Sequence, residues 1–159
     1  MDHLWSPWRY RYVSTASPKS DCIFCEKLAA NQDRENLIVL RAKHNFLLLN
    51  LYPYTSGHLM IAPYAHVPTL NSVDTAVRAE LMELTARAEA ALEKVYKPGG
   101  INLGMNLGEC AGAGVAGHIH MHVLPRWPGD ANFMSTVGET RVLPEDLQTT
   151  YDKLLQALS

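Results

Sequence analysis

The chain lacks any apolar run approaching the ~18 residues that a membrane helix needs, and its start lacks the basic and apolar regions of a signal peptide. Both absences make the cytosol the expected compartment. Cysteine is scarce: three in 159 residues cannot build the disulfide framework of a secreted scaffold. Charge of one sign is lacking too. Fourteen basic residues against 16 acidic give a formal net charge of -2, which argues against broad binding to extended nucleic acid but allows a local pocket for a small anion. There is no internal repeat, no Gly-Lys-Ser or Gly-Lys-Thr of a P-loop and no Gly-x-Ser-x-Gly nucleophile elbow.

What remains, at 47% hydrophobic and 19% charged, suits one domain with its own core. The expected division is an aromatic N-terminal arm over residues 1–21 and a single domain over 22–159. The arm carries Trp5, Trp8, Tyr10 and Tyr12 with Arg9 and Arg11, too many aromatics for a disordered tail, so it is expected to pack on the body or on a second subunit. Residues 37–40, 45–50 and 58–62 read as short strands, with a loop over 52–57 and a turn over 63–68. Val77, Leu81, Leu84, Ala88, Leu92 and Val95 then recur at helical spacing, predicting an amphipathic helix over 74–96 that Pro98-Gly99-Gly100 ends. A strand over 101–107 and a terminal helix starting at Pro144, with Leu147, Tyr151, Leu154, Leu155 and Leu158 packing inward, complete the pattern. The fold class is α+β, an antiparallel sheet with one long helix and shorter helices.

The chemistry concentrates in His118-Ile119-His120-Met121-His122-Val123-Leu124. On a strand a period of two puts the three histidines on one face and Ile119, Met121 and Val123 on the other. Three imidazoles pack no better than Val or Ile and repel one another when protonated, so a metal or catalytic role is expected. A neutral imidazole is a competent nucleophile near pH 7 once a partner on its other nitrogen fixes the tautomer. Just upstream, the four glycines of residues 108–117 allow tight turns whose bare amides can hold phosphate.

The pair in Cys22-Ile23-Phe24-Cys25 suits metal binding, redox work or plain packing. A structural zinc on that pair would be completed by two of His58, His66 and His118. Cys110 reads as a small buried filler. Pro128 to Met134 is turn-rich, either a border of the site or a surface loop.

His118-Ile119-His120-Met121-His122-Val123-Leu124 resembles the signature of the histidine-triad family. Trp5-Ser6-Pro7-Trp8-Arg9, the Cys22–Cys25 segment and Pro125 to Phe133 are similar to its bacterial branch that includes diadenosine tetraphosphate phosphorylases. The resemblance implies that His120 is a nucleophile taking up a nucleotidyl group and that His122 supports phosphate binding. It makes Cys22, Cys25, His66 and His118 a structural zinc set, with His58 beside the triad. Nucleotide contacts would fall to Phe46 and Leu48 around the adenine, to Asn50 at the ribose, and to Asn106 at phosphate or leaving group. The implied partners are adenine nucleotides or dinucleoside polyphosphates, inorganic phosphate as acceptor in a phosphorylase, and a second copy of the chain in a homodimer. One departure stands out: the hydrolase branch has a Gln four residues before the first triad histidine, and this chain has Gly114. Water and phosphate therefore both remain open as acceptors, and a nucleotide-binding protein without activity is the third expectation.

Overall fold

A computed structural model describes residues 22–132, 135 and 143–159. The aromatic arm expected over 1–21, and Phe133 and Met134 of the turn-rich segment, lie outside the described residues. The elements run α1 (Ile23–Ala30), β1 (Ile38–Arg41), β2 (Asn45–Leu49), β3 (Leu59–Pro63), α2 (Thr75–Tyr96), β4 (Gly100–Met105), β5 (Met121–Arg126) and α3 (Leu147–Leu158). The strands form one antiparallel sheet in the order β1-β2-β3-β5-β4. This is the α+β architecture expected from the sequence, with α2 as the long helix.

Strand alternation divides the core. Leu47 and Leu49 of β2, Leu59 and Ile61 of β3 and Val123 of β5 pack with Leu81, Leu84, Ala88 and Leu92 of α2 and with Tyr151, Leu154 and Leu158 of α3. The alternate residues Phe46, Leu48, Met60 and Ala62 form a second cluster with Phe24 of α1 on the opposite face. Because both faces are covered over β2 and β3, those strands read as unbroken apolar runs rather than as alternation.

The long helix starts after Asp74 and ends on Lys97, whose left-handed backbone (φ 46°) closes the last turn before Pro98. Gly57, just before His58, has φ 80°, and a Cβ there would meet Leu92 Cδ2 at 2.9 Å, so the loop entering β3 lies directly on the helix.

Three expectations change. The terminal helix starts at Leu147 rather than Pro144, because Asp146 accepts from the amides of Gln148 and Thr149 and so caps it. Leu155 is exposed, since it falls on the outer side of the stripe made by Tyr151, Leu154 and Leu158. Most relevant to function, the strand bearing the triad starts at Met121, so only His122 lies within it. The ladder ends there because β4 stops at Met105, opposite Met121, and the Ile119 amide turns instead to the carbonyl of Val67 at 2.8 Å. The alternation survives outside the strand: His118 and His120 pack against Phe24, on the α1 face of the sheet.

Candidate active site and metal cluster

Four side chains from three separate stretches of sequence converge where α1 meets the segment before β5. The ligand atoms of Cys22, Cys25, His66 and His118 all lie within 4.8 Å of one another. His118 Nδ1 stands 3.3 Å from Cys22 Sγ and 3.7 Å from Cys25 Sγ, and His66 Nδ1 stands 3.5 Å from Cys25 Sγ. A tetrahedral zinc with ordinary Zn–S and Zn–N bonds sets its sulfur and nitrogen ligands about 3.6 Å apart. The cluster therefore fits, and it can coordinate a metal ion as a structural zinc site does.

The surroundings prepare it. His118 is fully buried, and its Nε2–H donates to the Pro63 carbonyl at 2.8 Å, which leaves the Nδ1 lone pair for the cation. A Cβ at Gly117 would stand 3.2 Å from His66 Nε2, so a glycine precedes the triad where the chain passes closest to a ligand. Burial and then the bond with Cys22 push the Cys25 thiol up, and a bound cation is the group that would reverse this.

The other two triad histidines face a cleft. His120 is 5% exposed, and its Nδ1 lies 2.9 Å from the His118 carbonyl. A carbonyl only accepts, so Nδ1 carries the proton and Nε2 presents its lone pair. A second chain of contacts orients His122. The Tyr54 amide donates to His58 Nδ1 at 3.2 Å, so His58 Nδ1 accepts and its Nε2 carries the proton. That Nε2 lies 2.8 Å from His122 Nδ1, which must accept, and His122 therefore holds its own proton on Nε2. One neighbour thus exposes a bare nitrogen on His120, and another exposes an N–H on His122. Burial holds all three triad histidines below the ordinary imidazole range, with His122 lowered to about 4 by burial and then by His120. They are neutral at physiological pH.

The cleft is lined by His120, His122, Leu48, Asn50, Asn106 and Gly114, among others. Asn50 has its Nδ2 3.3 Å from His58 Nδ1, and its Oδ1 takes the Tyr52 amide at 2.9 Å. Asn106 Nδ2 donates to the Gly112 carbonyl at 3.3 Å. Phe46 is not brought to the cleft: it is fully buried behind the wall, edge-on to Phe24 and stacked with Tyr64.

Residues that sequence reasoning missed take its place. Ile23, Phe24 and Lys27 of α1 and Met60 of β3 line the same cleft. Lys27 is held below the ordinary lysine value by burial, and its ammonium donates to the Asn36 carbonyl at 3.1 Å. The spacing of Ile23, Phe24 and Lys27 was the available signal, since residues three and four apart share a helix face. Two singled-out features serve elsewhere. Cys110 is exposed rather than buried, because it sits in a short turn of the glycine-rich loop with no core beneath it. Arg126 and Asp130 form a bidentate pair at 2.6 and 2.8 Å that braces the turn after β5.

Comparison with known proteins agrees with this geometry. Residues 31–129 match the HIT domain. A Mycobacterium tuberculosis protein named AP-4-A phosphorylase is 40% identical over 160 residues, covering 94% of this chain and 80% of its own length. The Bacillus subtilis protein hit is 28% identical, covering 87% of this chain and 95% of its own. Among solved structures, a zinc-bound histidine triad family protein from Mycobacterium smegmatis superposes with a TM-score of 0.70 at 25% identity, over 87% of this chain and 94% of its own. With its triad, its cleft and its Cys/His cluster in one fold, this chain belongs to the HIT-domain family.

Proposed function

We propose that the protein transfers a nucleotidyl group through a histidine intermediate, and that its reaction is phosphorolysis of diadenosine tetraphosphate to ADP and ATP. The carrying observation is the 2.9 Å contact of His120 Nδ1 with the His118 carbonyl, which leaves Nε2 free to attack. Attack at the α-phosphorus forms a P–N bond and breaks the bond to the bridging oxygen. The His122 Nε2–H hydrogen-bonds that departing oxygen, which leaves as a phosphate anion of ATP without taking the proton. Inorganic phosphate then attacks the same phosphorus, the P–N bond breaks, and ADP is released with His120 restored.

Leu48, with Ile23, Phe24 and Met60, is assigned to the base of the transferred nucleoside, where apolar walls suit a purine. Phe46 supports that wall from behind. Asn50 is assigned to the ribose, and Asn106 and Gly114 to the phosphates. His58 is a positioning residue for His122. Cys22, Cys25, His66 and His118 would hold zinc, which when bound ties α1 to the triad segment. The reduced cysteine cluster fits the cytoplasm, and the β4 edge with its exposed Leu103 suits pairing with a second copy in a homodimer.

Two features support phosphate as acceptor: the similarity to a protein named AP-4-A phosphorylase, and Gly114 in place of the hydrolase glutamine. Incubation with diadenosine tetraphosphate, with and without phosphate, tests the reading. ADP plus ATP formed only with phosphate supports it. Phosphate-independent cleavage, to AMP plus ATP or to two ADP, assigns the chain to the hydrolases of dinucleoside polyphosphates or phosphoramidates. Binding without turnover assigns it a non-enzymatic role.

A further inference from the structure

Beside the cleft, a short turn exposes several large apolar side chains. Leu51 is 43% exposed, Tyr52 68% and Tyr54 41%. Their backbone is nevertheless tied down by the site itself: the Tyr52 amide donates to Asn50 Oδ1 at 2.9 Å and the Tyr54 amide to His58 Nδ1 at 3.2 Å. A turn held this way presents its rings at a defined place, and exposed aromatics beside a cleft mark a binding surface. Both tyrosines border the cleft. The Tyr54 ring lies 6.1 Å from the His122 ring at an interplanar angle of 24°, and 4.7 Å from the His58 ring.

We propose that Tyr52 and Tyr54 form a stacking platform for the second, departing nucleoside of a dinucleoside polyphosphate. The inference rests on the transfer reading above and adds to it the place where the second nucleoside of that substrate is held. The transferred nucleoside has its own walls in Ile23, Phe24, Leu48 and Met60, so it does not need the tyrosines. The departing phosphate chain begins at the oxygen served by His122 and runs out past the ring against which Tyr54 is stacked. If that chain ends in a nucleoside, a second aromatic face arrives where two exposed phenol rings stand. Stacking on a ring tolerates any base, because every base offers a π-face. The platform therefore selects for a second nucleoside rather than for its identity, and favours dinucleoside polyphosphates over phosphoramidates and mononucleotides.

The test is titration calorimetry on the full-length His120→Gly variant, comparing diadenosine tetraphosphate with adenosine 5′-tetraphosphate, which has the same phosphate chain and no second nucleoside. The dinucleotide should bind about tenfold more tightly. That advantage should fall toward one with Tyr52→Ser and Tyr54→Leu combined, and should persist with Tyr52→Phe, which keeps the ring. Should the double variant fail to fold, Tyr52→Ser alone, at the more exposed position, should still reduce the advantage. Equal affinity of the two ligands, an advantage that survives loss of the rings, or equal weakening of both would overturn the platform. A change of oligomeric state with the advantage intact would assign the tyrosines to a subunit contact and likewise overturn it. Because binding is read without turnover, the two readings separate. A ring-dependent advantage in a protein whose unsubstituted form turns over nothing removes the transfer and keeps the platform, whereas phosphorolysis with equal affinities does the reverse.

Discussion

The metal cluster and the proposed reacting pair use the same type of side chain to opposite ends. His118 and His120 stand two residues apart, pack against the same Phe24 ring and are both buried. His118 gives its Nε2–H to the Pro63 carbonyl and turns Nδ1 to the cysteines, whereas His120 gives its Nδ1–H to the His118 carbonyl and turns Nε2 to the cleft. Which nitrogen is left bare follows from where the nearest carbonyl sits. The backbone of the proposed metal ligand also orients the proposed nucleophile, so the two regions are joined through one peptide group.

The sharpest way to separate them is His120→Gly. It should lower turnover on the order of 10⁴-fold or more, with metal content unchanged at about one per chain by mass spectrometry. Turnover within tenfold of the parent would sink the nucleophile assignment. Next in size is His58→Ala, which removes the group holding His122 in its tautomer. A fall in kcat of roughly 10- to 100-fold is expected, with KM little changed; a change confined to KM would place His58 in binding instead.

Cys25→Ser addresses the other region. Loss of the bound metal and of about 3 kcal/mol is expected, seen as a fall in Tm of roughly 6–12 °C. An unchanged melting curve with the metal retained would remove Cys25 from the ligand set. A smaller effect is expected from Gly117→Ala, whose methyl would press on His66 Nε2 from 3.2 Å. Zinc affinity measured against a competing chelator should weaken several-fold, while turnover of the zinc-loaded protein falls less.

The pH dependence distinguishes burial from charge. Because His122 is lowered from 6.5 to about 4, the folded protein binds fewer protons than the unfolded chain between those values. The stability this group contributes is complete above pH 6.5 and is lost as pH falls toward 4. Turnover should accordingly hold through pH 6.5 and decline only well below it, as measured by a kcat profile. An acid limb centred at 6.5 would show that the site is more solvated than its burial implies.

Much of this was legible along the chain. The helix over 74–96 showed in the spacing of Leu81, Leu84, Ala88 and Leu92, because one side of a helix must meet the core. The triad showed because three imidazoles at every second position have no packing reason to be there. Helix α1 was not foreseen: at eight residues its periodicity is brief, and its burial rests on Phe24 alone. That hid Ile23 and Lys27 from the cleft, and alternation alone could not tell Leu48, which reaches the cleft, from Phe46, which Phe24 covers.

The sequence by itself determined the class of fold, the residue types able to bind metal and to act as a nucleophile, and the face of the chain that carries them. These follow from periodicity and side-chain chemistry, which are local. Only the tertiary structure decided that His118 and His120, alike in sequence context, present different nitrogens. That choice depends on carbonyl groups supplied by β3 at Pro63 and by His118 itself, at hydrogen-bond distances that are set only when the sheet, α1 and the loop before β5 close around them.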